Sequence, residues 1–281
     1  MQQSLTNIRK ELESYYSKEE IQGFIQLIFY HLKNYSLADM ILNEDKQLSE
    51  NDIKSLRNII FKLKKYVPIQ YILGQTEFCD LIFHVDSNVL IPRPETEELV
   101  RWALNDFQHQ KNLNVFDACT GSGCIAISLA KYLHQAKVSA CDISDGALHL
   151  AQLNAHSNKV NIGFHCIDML NHQSFTPHAK YDIIISNPPY VLNSEKLEMS
   201  KNVLDYEPHL ALFVDDDKAL IFYEAIADFA CLYLNKTGSL YFEINESYAP
   251  ETLTMLKEKG FSSTELRQDV FKKNRMIKAS L

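Results

Sequence analysis

The sequence predicts an α/β protein, a mostly parallel sheet with helices on both faces, preceded by an all-helical region. Three observations carry this. From Asn112 onward, short apolar β-branched runs alternate with helical patterns, the signature of a parallel sheet with crossover helices. A glycine loop, Thr120–Gly123, falls between the first such strand and the helix after it. Up to about residue 72, apolar side chains recur only at helical spacing.

The helical region reads as four helices. Leu5, Ile8, Leu12 and Tyr15/Tyr16 share one face, and Ile21, Phe24, Ile25, Ile28 and Phe29 another. A third, short helix begins near Ser36. A fourth follows the cap-like SENDI, with Ile53, Leu56, Ile59, Ile60 and Leu63 in line, and Pro68 ends or redirects it. From Gly74 to Val89 the pattern changes to period two, and Cys79-Asp80 can turn a hairpin. Pro94 then suits the first position of a helix whose first turn holds Glu95, Glu97 and Glu98. Arg93 before it reads as a salt-bridged connector rather than a pocket group. The expected domains are a helical bundle at 1–73 serving recognition, a hairpin linker and connecting helix at 74–110, and the α/β domain at 111–281.

Within that domain the strands are 114–118, 137–142, 161–166 and 181–186, with helices at 124–133 and 144–155, the second capped by Ser144. A polar segment from Tyr190 to about Asp215 reads as mobile. A helix at 218–234, a strand at 238–245, a helix at 249–259 and a closing hairpin complete the chain.

Composition is that of a soluble protein, 46% hydrophobic and 23% charged. Neither a long apolar run nor a signal-type start is present, so the cytosol is expected and no membrane. The net charge of −8 argues against nucleic acid as the main partner. Lys54, Arg57, Lys62, Lys64 and Lys65 on the fourth helix read as a solvated face. The six cysteines form no CxxC pair and read as small core residues rather than disulfides. His172 and His178 have a metal-like spacing without companions and read as a surface loop, so no metal is expected.

Two motifs carry chemistry. Asn187-Pro188-Pro189-Tyr190 follows a strand at once. Two prolines cannot continue a central strand, and they leave bare carbonyls. The Asn187 side-chain oxygen and the Pro188 carbonyl can accept hydrogen bonds from an NH2 group, and Tyr190 can stack on a planar group. That set suits an amide or aromatic amine nitrogen, a poor nucleophile that needs positioning and desolvation toward a pre-activated methyl group. The second motif is the glycine loop. Gly121 and Gly123 allow close backbone approach at a helix N-terminus, and Asp142 lies about twenty residues on, where it reads ribose hydroxyls. This says adenosine cofactor, and by itself leaves a nicotinamide dehydrogenase open. The loop lacks the GxSxG of a hydrolase elbow and the GK[ST] of a phosphate loop. With Asp168-Met169 after the third strand, four polar sites fall at strand carboxyl ends, which is one crevice in an open α/β sheet. Asp168 suits an adenine amine, or serves as a loop cap.

The chain resembles the HemK/PrmC-type protein-(glutamine-N5) methyltransferases, in the branch that modifies peptide chain release factors. The likeness runs through PIQYILG (68–74), LIPRPETEELV (90–100), TGSGCIAISLA (120–130), CDIS (141–144), SNPPY (186–190), YEPHLAL (206–212), FEIN (242–245) and NRMIKA (274–279). NPPY alone is shared with adenine amino-methyltransferases of nucleic acid, the alternative reading. The resemblance implies a Rossmann-like, seven-stranded class I methyltransferase domain behind a helical N-terminal domain. It implies S-adenosyl-L-methionine as donor and S-adenosyl-L-homocysteine as product. Cys119, Thr120, Gly121, Ser122 and Gly123 would hold the donor, Asp142 its ribose, Met169 its adenine side, and Asn187 its methionine end. Asn187, Pro188, Pro189 and Tyr190 would hold the substrate glutamine, from the Gly-Gly-Gln loop of a class 1 release factor. Asn187, Pro188 and Tyr190 would be the catalytic set, in a monomer acting on protein. Cys119, Asn245 and Asp80 stand where the family has glycine. Asn and Asp tolerate the left-handed conformation such positions use.

Overall fold

The computed structural model describes all 281 residues. They form two compact units, one of Met1–Gly74 with Ser200–Tyr206, the other of Gln75–Met199 with Glu207–Leu281. The hairpin and the helix after it thus belong to the larger unit rather than to a separate linker.

The smaller unit contains α1 (Gln2–Leu12), α2 (Lys18–Lys33), α3 (Leu37–Leu42), α4 (Glu50–Leu63) and α5 (Ile69–Leu73). Ser17, Ser36 and Ser49 each open a helix through a reciprocal capping box with Glu20, Asp39 and Asp52. Ile8, Leu12, Ile25, Ile28, Phe29 and Leu63 are buried at its centre. Pro68 starts α5 rather than only ending α4. The basic face of α4 is solvated in part: Lys54 and Arg57 are exposed, while Lys64 pairs with Glu11.

The larger unit opens with β1 (Gln75–Phe78) and β2 (Leu81–His84), turned by Cys79 and Asp80 at φ 48° and 60°. Two left-handed residues in a two-residue loop match the twist of the strands it joins. Next come α6 (Pro94–Phe107), β3 (Asn114–Ala118), α7 (Cys124–Tyr132), β4 (Lys137–Asp142), α8 (Asp145–Ser157), β5 (Ile162–Cys166) and β6 (Tyr181–Ser186). The segment expected to be mobile is built of short elements: β7 (Val191–Leu192), α9 (Lys201–Leu204) and β8 (Phe213–Val214), with β7 and β8 paired in parallel. The chain ends with α10 (Ile221–Tyr233), β9 (Leu234–Glu243), α11 (Ala249–Glu258), β10 (Ser263–Gln268) and β11 (Asn274–Ser280).

The main sheet has seven strands in the order β10-β11-β9-β6-β3-β4-β5. Alternate residues sort to opposite faces, as a pleat requires. Val115, Ile183, Ile185, Tyr241 and Met276 meet α6 and α7, while Phe116, Ile184, Phe242 and Ile277 meet α10 and α11. No helix is long and apolar enough to cross a membrane. All six cysteines are free thiols. His172 is not on the surface: it is buried, edge-on to Phe229 at 5.8 Å. Its neighbours are apolar because the chain after β5 folds back under α10.

Candidate active site

Strand order decides where a site can form. From β3 the chain moves outward to β4 and β5, then returns to the other side of β3 as β6. That reversal opens a crevice at the strands' carboxyl ends. Register places the ends level: Ala118 pairs with Cys141 and with Ser186, and Asp142 with Cys166. The loops starting at Cys119, Ile143, Ile167 and Asn187 therefore share one edge.

A cavity of about 1150 Å³, mouth included, occupies that edge. Cys119, Thr120, Gly121, Ser122, Asp142, Met169, Asn187 and Pro189 all line it. Gly123, Pro188 and Tyr190 are not among its lining residues. Asp168 lines the cavity, but its carboxylate is a loop cap, accepting from Leu170 N–H (2.9 Å) and Asn171 Nδ2 (2.6 Å). The opposite wall, apart from Arg93, went unassigned in the sequence: Asn88–Leu90, Pro92, Thr96, Pro208, Leu210, Ala211 and Phe222 join Arg93 there.

The glycine loop is held from below and from the side. Asp117, fully buried in β3, accepts from Thr120 Oγ1 (2.5 Å) and from Ala126 N–H (3.1 Å). Burial pushes its carboxyl up to about 7 against those two hydrogen bonds. Gly121 sits at φ 54° with nothing within 4 Å of where a Cβ would be, so its backbone faces open space. Gly123 sits at φ 82°, and a Cβ there would come within 2.9 Å of Ile127 and 3.1 Å of Ala151. The first glycine leaves room for a ligand; the second lets α7 pack on α8. Cys119 adopts φ 61°, so the side chain replaces glycine at a position that keeps glycine's conformation. Asp142 accepts from Gly121 N–H (2.8 Å) and Ser144 N–H (3.0 Å), and burial raises its carboxyl above the ordinary range. Each oxygen keeps a lone pair for a hydroxyl donor. Ile143, Ile167, Met169 and Leu170 give apolar walls beside it. A ribose carrying a flat, largely apolar base fits this set.

At the other end, Asn187 Nδ2 donates to Thr96 Oγ1 (3.0 Å), and Thr96 Oγ1 donates to Glu243 Oε2 (2.5 Å). Tyr190 donates its hydroxyl to Glu243 Oε1 (2.9 Å). Burial raises the Glu243 carboxyl, opposed by these bonds and by the Arg275 guanidinium. Burial, and then Glu243, hold the Tyr190 phenol well above its usual range. Asn245 fixes the same loop, donating from Nδ2 to the Tyr190 carbonyl (3.2 Å) and to Glu195. Its φ of −66° is ordinary, so tolerance of the left-handed region is not what suits Asn to this glycine position; its amide is used instead. Asp80, at φ 60°, does use that tolerance. Arg93 is both things the sequence offered. It pairs with buried Glu207 at 2.6 Å and lines the cavity. Glu207 also accepts from Ile91 N–H (3.1 Å), so one carboxylate ties the two segments of the opposite wall together.

Thr96, Glu207 and Glu243 were missed as individuals, though each lies inside a stretch carrying the resemblance. Only burial marks them, and burial of a single polar side chain is not written in a sequence pattern.

Comparison with known proteins agrees with this architecture. Residues 3–74 match the family described as the PrmC N-terminal domain, and residues 100–206 the methyltransferase small domain. The release factor glutamine methyltransferase of Flavobacterium psychrophilum is 44% identical over 98% of this chain and 97% of its own. That of Bacteroides thetaiotaomicron is 42% identical over 97% of each. Among solved structures, a 16S rRNA N2 methyltransferase of T. thermophilus, in complex with AdoMet and guanosine, has a TM-score of 0.52. At 16% identity over 73% of this chain and 49% of that one, it shows the class I methyltransferase fold alone. The chain belongs to the release factor glutamine methyltransferase family.

Proposed function

We propose that this protein methylates the side-chain amide nitrogen of the glutamine in the Gly-Gly-Gln loop of class 1 release factors, with S-adenosyl-L-methionine as donor. The observation that carries the proposal is the joint lining of one cavity by the glycine loop, Asp142 and Asn187. Family membership supplies the substrate class.

Asp142 would hold the ribose hydroxyls, the Cys119–Ser122 backbone the methionine part, and Met169 with Ile143 the base. When bound, the donor supplies a sulfonium methyl that needs no further activation. The protein's task is then to hold a weak nucleophile still and dry. Asn187 Oδ1 and the Pro188 carbonyl would accept from the glutamine NH2 group, keeping its lone pair aimed. Tyr190, its hydroxyl tied to Glu243, would flank the glutamine stem. Pro189, Pro208 and Leu210 would exclude water. After transfer the methylated nitrogen would give up one proton to solvent, so no strong base is needed. The protein is proposed to act as a cytoplasmic monomer, on protein and not on nucleic acid, which its net charge of −8 favours.

Labelled S-adenosyl-L-methionine, an unmethylated release factor, its Gln→Ala variant in the Gly-Gly-Gln loop and an adenine-containing duplex test this together. Label is expected on the factor alone and absent from its variant. Label on the duplex alone would replace the reading with an adenine methyltransferase.

A further inference from the structure

We propose that Thr96 and Glu243 are positioning residues that decide which end of the Asn187 amide faces the cavity. The proposal deepens the glutamine reading and rests on it.

A hydroxyl carries one proton, and Thr96 gives it to Glu243 at 2.5 Å. Glu243 accepts through both oxygens, Oε2 from Thr96 and Oε1 from Tyr190, and so returns no proton to Thr96. Thr96 therefore meets Asn187 only as an acceptor. Of the two ends of the Asn187 amide, the NH2 end alone can satisfy it, and it does so at 3.0 Å. The oxygen is left as the free end of a residue that lines the cavity. Without this chain the amide could rotate by half a turn with no steric cost, since its two ends are nearly the same size. An oxygen pointing inward attracts a group that donates, such as the NH2 of glutamine. It repels one that only accepts, such as the carboxylate of glutamate. Buried Glu243 would thus set selectivity for an amide nitrogen without touching the substrate.

The arrangement is held from several sides. Glu243 ends β9 beside Met276 of β11, Thr96 lies in the first turn of α6, and Tyr190 follows β6. Both Thr96 and Glu243 are at least nine-tenths buried, at 2% and 1% exposure, so water does not compete for the bond between them.

The test uses the full-length enzyme. Thr96→Val keeps the shape and removes the hydroxyl. It should lower kcat about 100-fold, with the Kd for S-adenosyl-L-methionine and the KM for the release factor changed by less than about fivefold. Thr96→Ser, which restores the hydroxyl, should recover most of kcat. In parallel, the Asn187 side-chain amide signal in the 15N spectrum, assigned by its loss in Asn187→Asp, should shift and lose exchange protection in Thr96→Val and keep both in Thr96→Ser. Wild-type kcat, or an unmoved amide signal, in Thr96→Val would overturn the proposal. Should that variant fail to fold, Glu243→Asp, which withdraws the acceptor by one methylene, must show the same kcat loss and the same shift. A wild-type enzyme that leaves the release factor unlabelled would refute the substrate reading, while the amide signal would still report the orientation.

Discussion

At Asn187, one side chain serves two directions at once, bonding back to Thr96 and leaving its oxygen to the cavity. Asn187→Ala is expected to reduce turnover at least 100-fold, with donor binding weakened but measurable by calorimetry; undiminished turnover would remove Asn187 from its role. Asp142 is engaged differently. Its two oxygens anchor the Gly121 and Ser144 amides before any ligand arrives, so Asp142→Asn loses charge at a point where the loop itself is held. A rise in donor Kd of about 10- to 100-fold is expected. Gly123 shows the limit of tolerance in the loop. Gly123→Ala places a methyl against Ile127 and Ala151 at an unfavourable φ, and should cost ~2 kcal/mol of stability, read as a lowered denaturation midpoint. The glycines, Asp142 and Asn187 were legible because their spacing is a chemical signature. Glu243 was not: it is one of 36 acidic residues, and only the buried end of β9 distinguishes it.

Elements differ in how plainly they were written. The strands of the sheet came through because β3, β6 and the end of β9 are short, nearly continuous apolar runs, the direct imprint of burial on both faces. The five-residue α5 and the short pieces between Tyr190 and Asp215 did not, since elements of that length hold too few residues to show a period. What orders them is tertiary: Asn245 on the Tyr190 carbonyl, and Glu207 on Ile91 and Arg93. Glu207→Ala should therefore loosen two segments together, lowering stability by ~3 kcal/mol and weakening donor binding although it touches no donor. Thermal unfolding measured with and without donor checks both. The β3–loop–α7 unit also carries a pH signature. Asp117 has its carboxyl raised from 3.8 to about 7 by burial. As pH rises through that interval the unfolded chain releases this proton while the folded one keeps it, so stability falls with rising pH. Asp117→Asn should flatten the slope between pH ~4 and 7, as followed by denaturant titration at several pH values.

Over the whole molecule, the cavity is lined entirely by residues of the larger unit. Donor binding is then expected to slow hydrogen exchange in residues 119–123, 142–147 and 187–190 and to leave the helices of residues 1–74 unchanged. Protection appearing in those helices instead would place the donor site elsewhere. The path of the chain adds a constraint of a different kind. It leaves the larger unit after Met199, contributes Ser200–Tyr206 to the helical one, and returns at Glu207. There Tyr206 donates its hydroxyl to the Lys65 carbonyl at 2.7 Å, and Lys201 lies over the Tyr66 ring at 5.3 Å. The helical unit is consequently encoded in two places in the gene. A recombination event that exchanged only the first 74 codons would strand seven residues among foreign neighbours. Exchange of the helical unit as a whole would require a change in the middle of the catalytic half as well.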